Sequence, residues 1–414
     1  MQNPSEEFQK KTRRALLWMN LSHEPFVVLY ALLPFILRKD LHASLLQIST
    51  LSALRPILPV FSFYWSAHLA RRPNHLRATL ISAWVLARLP FLFIPWIDNV
   101  WYLIFCCGVY ELFNKSGIPA LIEILKINLP KKTRETTFTL YFVFTFLESI
   151  LLGFLIANFL DRYSSAWQIL VALTALLGLS SIALQLRVPL PEIPAQLPPP
   201  ADTGKKFVLI PYILQPWKEA FALLKKDAAF ARFQWGFMVG GFSLMLVAPA
   251  LSIFYADHLD LSHSQVVMGR SILMGGGIVL SSYFWQKSLD KQRVPQITRW
   301  ILLGFALYLF SLSLASVHLA WFYTAFILYG VAQAGSHLLW NLSGTLFASS
   351  EDSAPFSRLN ILMLGLRGAI APALGGILCN LFGPVPILLG GGALCLAGVA
   401  FMFLPRTQPI AVSE

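Results

Sequence analysis

Eight ionisable side chains lie where the surrounding sequence is too apolar to hold them: Glu24, Glu111 and Glu148 on the acidic side, Arg55, Arg88, Lys115, Arg270 and Arg367 on the basic side. On insertion scales a charge in hydrocarbon costs at least about 2.5–3.5 kcal/mol, so each needs a partner or an aqueous cavity. The chemistry open to such groups is reversible capture of protons and of ionic solutes. Glu24 sits in His23-Glu24-Pro25, where the proline removes a backbone donor and bends the helix. Its carboxyl either binds a proton or a substrate amine, or serves as a local cap or pair at the kink. Glu111 and Lys115 are four residues apart on one helix face, glutamate first as the favourable order requires. They either neutralise each other or part to receive a zwitterion or anion. Glu148 stands isolated in Phe146-Leu147-Glu148-Ser149-Ile150. Buried alone it would hold its proton, the property wanted in a proton carrier; otherwise it pairs with an arginine of another helix.

The arginines have two uses. Guanidinium groups grip an anion through paired hydrogen bonds, or lock one conformation through Glu148 or Glu111. Counting depth at about 1.5 Å per residue puts Arg55 and Arg367 at a similar level, with Arg270 nearer the end of its helix. Arg88 reads as structural. His337 and Asn341, four apart beside Ser336, Trp340 and Ser343, form a polar stripe in which the imidazole either packs or switches near neutral pH. Gln234, Trp235 and Ser243 add neutral hydrogen-bonding candidates. Five cations against three carboxylates favour a solute bearing a carboxylate or phosphate. An enzyme is not expected, because the chain carries no GxSxG, HExxH or phosphate loop. Cys106, Cys107, Cys379 and Cys395 lie in apolar runs without CxxC spacing, so neither a disulfide framework, a metal site nor a cofactor is expected.

These side chains must be positioned by membrane helices. Of 414 residues, 56% are hydrophobic and 13% charged, and the mean hydropathy is +0.63. That leaves too few polar residues to clothe a water-soluble body of this size. Crossing a bilayer core takes roughly 20 apolar residues, and twelve stretches qualify: 15–37, 43–65, 78–97, 100–125, 137–159, 165–186, 232–255, 264–286, 299–317, 320–347, 358–380 and 385–404. The expected plan is all-α: a tail (1–14), a six-helix bundle (15–186), a linker (187–231), a second six-helix bundle (232–404) and a tail (405–414). Pro189, Pro191, Pro194, Pro198, Pro199 and Pro200 stiffen the linker, which leads into a basic amphipathic stretch, Trp217 to Lys226, suited to the membrane surface.

With the amino terminus in the cytoplasm, 24 of the 32 lysines and arginines face that side. Only Arg38, Lys39 and Arg162 lie outside, so both termini and the linker are expected to be cytoplasmic. The formal charge of +12 comes in short bursts between apolar runs, which fits anionic lipid headgroups and not nucleic acid. The acidic start, Glu6-Glu7, before Lys10, Lys11, Arg13 and Arg14 does not resemble a cleaved leader.

One phrase occurs twice. Ser62-Phe63-Tyr64-Trp65 runs to Leu69 and Arg71, and Ser282-Tyr283-Phe284-Trp285 runs to Leu289 and Lys291, which points to internal duplication. Each copy ends the second span of its half. Two bundles of six, a long cytoplasmic linker and a signature in each second loop resemble the major facilitator superfamily. That family's loop reads G-x-x-x-D-[RK]-x-G-[RK]-[RK]. Asp290-Lys291 match it in the second copy, where Gln286 replaces the first glycine; in the first copy only the cation Arg71, followed by Arg72, resembles it, while Ser66 and Ala70 replace Gly and Asp.

The resemblance implies two bundles that rock about a central site, with spans 1, 4, 7 and 10 lining the cavity and spans 2, 5, 8 and 11 along the interface. It implies Arg71, Arg72, Asp290 and Lys291 as cytoplasmic gate residues. The expected function is secondary transport, proton-coupled or facilitative, of a small polar solute by a monomer in a bacterial inner (plasma) membrane. The alternative is a transport-inactive receptor or scaffold built on the same fold.

Overall fold

The computed structural model describes residues 6–69, 76–190, 209–288, 293–347 and 354–403. Arg71, Arg72, Asp290 and Lys291, residues 191–208 of the proline-rich linker and the C-terminal tail lie outside the described residues. Among those described, all regular structure is helical.

The first expected span is cut in two. α1 (Glu6–Leu21) starts within the tail, and α2 (Glu24–Lys39) follows a break at Ser22-His23. Pro25 explains the cut, because its missing N–H is harmless only in the first turn of a helix, so the chain restarts there. Glu24 takes the first-turn position that the helix dipole favours for an acid. α3 (Leu45–Leu69) carries Pro56 and Pro59 in its interior. α4 (Leu76–Arg88) tightens into a 3₁₀ turn, Leu89–Trp96. α5 (Val100–Asn128) begins on Asn99, whose Oδ1 accepts from the Trp101 N–H at 2.8 Å. α6 (Lys131–Arg162), α7 (Trp167–Ser180) and the short α8 (Ile182–Gln185) complete the first half. The amphipathic α9 (Leu209–Lys226) precedes the second half.

There α10 (Ala228–Ile253) is prolonged by a π turn, Phe254–His258. α11 (His263–Val267), a second π turn at Met268–Leu273 and α12 (Met274–Ser288) make up one continuous rod. α13 (Val294–Ser313), α14 (Ala320–Phe347), α15 (Ala354–Phe382) and α16 (Pro384–Phe401) follow. Among the described residues, eight helical runs are long and apolar enough to cross a membrane unaided, against the twelve read from sequence. α5 and α6 carry Glu111, Lys115 and Glu148 in mid-helix, and the apolar part of α3 is the shorter Leu45–Phe61.

Both halves repeat one packing plan. α3 rests on α5 and α4 on α5 in the first, as α12 rests on α14 and α13 on α14 in the second. Between the halves the main seam joins α3 to α15. Its closeness comes from glycine: a Cβ at Gly365, Gly368 or Gly376 would run into Val60, Pro56 or Ser49 respectively. On the other side of the interface α6 meets α11 and the turn Met268–Leu273. That contact therefore gathers at one end, where α2 stops. Toward the other end a cavity of about 800 Å³ opens beside α1 and α6, lined by Lys10, Arg13, Arg14, Thr137 and Phe144. Leu280, Phe284 and Leu381 stay exposed, as a lipid-facing surface requires.

Candidate functional site

Pro34 lies one turn beyond Tyr30 within α2 and offers no N–H, so the Tyr30 carbonyl loses its helical partner. Arg55 of α3 replaces it, donating from Nη2 to Tyr30 O at 3.0 Å with its guanidinium 4.7 Å from the Tyr30 ring centre. The next carbonyl, Ala31 O, accepts from Arg270 Nη1 at 3.1 Å. Two arginines from opposite halves therefore converge on one turn of α2. Arg270 is aimed there from a π turn, a local widening of the helix that recurs at functional sites. Glu111 of α5 is the counter-charge: the Tyr30 hydroxyl donates to its Oε1 at 2.9 Å, and Arg55 Nε stands 3.8 Å from the same oxygen. Arg55 Nε is buried without a hydrogen-bond partner.

Arg55 and Arg270 line a chamber of about 150 Å³ at the interface, together with Tyr255, Tyr308 and Tyr329. A larger one of about 400 Å³ shares Ala248 and Tyr329 with it and holds Gln333, His337 and Arg367. Arg367 is 8% exposed; its Nη1 donates to Phe237 O at 2.8 Å, its guanidinium lies 5.4 Å from the Trp340 ring centre, and its Nε has no partner. Gln333 Nε2 donates to His337 Nε2 at 2.7 Å. Depth counting groups Arg55 with Arg367, whereas the structure groups Arg55 with Arg270. A long side chain on a π turn and a partner at the Pro34 kink override the level of the Cα atoms.

The pairing expected between Glu111 and Lys115 is corrected as well. Glu111 is buried and turned to Tyr30 and Arg55, while Lys115 is exposed. A charge on a neighbouring helix competes successfully with one on the same helix, because burial excludes water from the first and not from the second. Glu24 lies beside Ser149 and close enough to Glu148 to feel its charge, so α2 and α6 bring two carboxyls together. Glu148 Oε2 is buried without a partner. Gln234 is buried and donates to Asn360, which in turn donates to Ser343 Oγ at 2.8 Å, so it braces α10 against α15. Trp235 and Asn341 are exposed. Arg88 is structural as expected: fully buried, it stacks 3.4 Å from the Trp84 ring centre and donates to His23 Nδ1 at 2.9 Å.

At the end where α2 stops, sequence reasoning overlooked an ionic cluster. Arg38 Nε donates to both Asp257 carboxylate oxygens, at 3.0 and 2.8 Å. Lys39 Nζ reaches Asp260 Oδ1 at 3.2 Å and the Leu261 carbonyl. Asp260 adopts φ +42°, a left-handed conformation that aspartate tolerates. His263, almost fully buried, has Nε2 3.0 Å from Asp40 Oδ2 and Nδ1 3.1 Å from Asp161 Oδ1. Burial alone would raise the Asp161 carboxyl, but hydrogen bonds from Ser264 and from the His263 N–H hold it below its ordinary range. These contacts clamp α2 and α6 of one half to the second half. The available signal was that Arg38 and Lys39 are the rare cations on their side of the membrane, and cations so placed need acids.

The whole arrangement, two repeated bundles meeting over a charged cavity, matches a known architecture. The sequence profile of the Major Facilitator Superfamily matches residues 25–358. The chain belongs to the major facilitator superfamily. Among curated proteins, none matches the chain by sequence. Solved superfamily structures share the fold at low identity. A POT family transporter in complex with 5-aminolevulinic acid is 12% identical with a TM-score of 0.72, 95% of each chain being covered. The nucleoside transporter NupG is 12% identical with a TM-score of 0.66, covering 96% of this chain and 100% of its own. A bacterial homolog of the human lysosomal transporter Spinster, inward-facing and unoccupied, is 11% identical with a TM-score of 0.64 over 96% and 97%. Membership of the superfamily makes this an integral, multi-pass membrane protein and a transporter.

Proposed function

We propose that this superfamily member is a secondary transporter that moves a small organic anion, a carboxylate or a phosphate, by alternating access. One observation carries the reading: Arg55 and Arg270 line the chamber between the halves, Arg367 lines the adjoining chamber within the second half, and among the described residues only Glu111 stands within ion-pair distance of any of them. An anion supplies the missing charge and the paired acceptors that guanidinium groups match. The ligand of the POT family neighbour, 5-aminolevulinic acid, is itself a carboxylate. Proton coupling falls to Glu24 and Glu148, two carboxyls that share one site more readily with a single proton between them. With both termini cytoplasmic, the clamped end is external and the open end internal, an inward-open transporter in a bacterial inner membrane. Reconstitution into proteoliposomes tests this directly. Uptake of radiolabelled carboxylates or phosphates, accelerated by an inward proton gradient, is the expected result; transport of neutral or cationic solutes alone would overturn it, and binding without transport would favour a receptor.

A further inference from the structure

The two chambers differ in lining as well as in size. The smaller, about 150 Å³, presents Arg55 and Arg270 beside the phenols of Tyr255, Tyr308 and Tyr329. At roughly 30 Å³ per water it holds about five waters, room for one carboxylate or phosphate group and little more. The larger, about 400 Å³, is walled chiefly by carbon: Phe237, Leu244, Met245, Phe305 and Trp340. Phe237 stacks on Trp340 at 6.0 Å between ring centres, and Arg367 covers Trp340 as well, so that wall is fixed by its own packing. Ala248 and Tyr329 belong to both linings, so the two chambers adjoin there. Tyr329 is held there by Tyr308, 4.5 Å between ring centres.

From this we infer that the occupant is an amphipathic organic anion, its charged head between Arg55 and Arg270 and an apolar or aromatic body against the carbon wall beyond Ala248. The inference rests on the anion reading of the same cavity and narrows it. A small inorganic anion would fill only the first chamber. A highly hydroxylated body, as in a sugar phosphate, would set hydroxyls against Phe237, Leu244 and Met245, where they find no acceptors. A ring or alkyl chain displaces water from that wall at no such cost. Its outer edge meets Gln333 and His337, which would read a single hydrogen-bonding group on the body.

The experiment uses the full chain in detergent, with thermal shift read against three probes: 3-phenylpropionate, acetate and the neutral 3-phenylpropanamide. Half-saturation by 3-phenylpropionate is expected at a concentration at least tenfold below that of acetate, with the amide weaker than the acid. Ala248→Phe, which plugs the junction, is expected to bring the two acids to similar half-saturation. Leu244→Gln, a milder change, should reduce their ratio in the same direction and guards against misfolding of the first variant. Equal affinity for acetate and 3-phenylpropionate in the native protein would overturn the inference while leaving the anion reading intact, as would an unchanged ratio in both variants. Equal or stronger stabilisation by the amide would instead sink the anion reading itself.

Discussion

The clamped end and the central cavity both contain cations, and they treat them in opposite ways. At the clamped end Arg38 meets Asp257 and Lys39 meets Asp260 across the interface, and the His263 ring lies between Asp40 and Asp161. In the two chambers, Arg55, Arg270 and Arg367 lean largely on backbone carbonyls, and among the described residues Glu111 alone answers in kind. A carbonyl satisfies a guanidinium N–H without cancelling its charge. The end thus holds the halves together by itself, while the middle keeps a positive potential that its own side chains do not cancel.

The comparison breaks most visibly at Arg270. Arg270→Gln should lower anion uptake by roughly 10- to 100-fold, the equivalent of one charged hydrogen bond of about 1.5–3 kcal/mol, with the folded protein retained. Initial uptake rates in proteoliposomes, with thermal stability as control, measure it. If uptake survives and stability falls, the arginine serves the fold. Next in size is His263→Ala, which leaves two carboxylates facing each other. We expect the halves to separate at that end, read as a longer and broader distance distribution between spin labels on α6 and α11, with the fraction of clamped molecules falling severalfold.

A smaller effect comes from acid. Because Asp161 is held below its ordinary value, its hydrogen bonds contribute fully above about pH 4, the unperturbed carboxylate value, and are lost as pH falls through the lowered one. The clamp should therefore weaken at strongly acidic pH, and Asp161→Asn should remove that part of the dependence in the same distance measurement. Smallest of all, Lys115→Gln should leave both uptake and stability within error, since its side chain is exposed and Glu111 is engaged elsewhere.

Much of this molecule could be read in advance because hydrophobic runs and misplaced charges are local signals. The helical membrane fold, the duplicated halves, the arginines and the kink at Pro25 all came from short windows. What could not be read was partnership. Glu111 has Lys115 one turn away, yet it answers Arg55, which lies on another helix and many residues earlier. Arg55 and Arg270 share a chamber only because a π turn and a proline bring them to one stretch of α2. The carbon wall of Phe237, Leu244 and Met245 escaped notice because apolar residues in a membrane span carry no mark that separates cavity from lipid.

Pro34 ties the cavity to the clamp. The Tyr30 carbonyl that it leaves bare is satisfied by Arg55, the same group an anion would claim. When the solute draws that guanidinium away, α2 must either admit water at the gap or change its curvature to cover it. Arg38, Lys39 and Asp40 sit at the far end of that helix, one to two turns on, so a change of bend moves all three relative to Asp257, Asp260 and His263. On the anion reading, a missing amide hydrogen in mid-helix would act as a lever arm: occupancy of the cavity would be transmitted as an angle, and the lock would feel it without touching the solute.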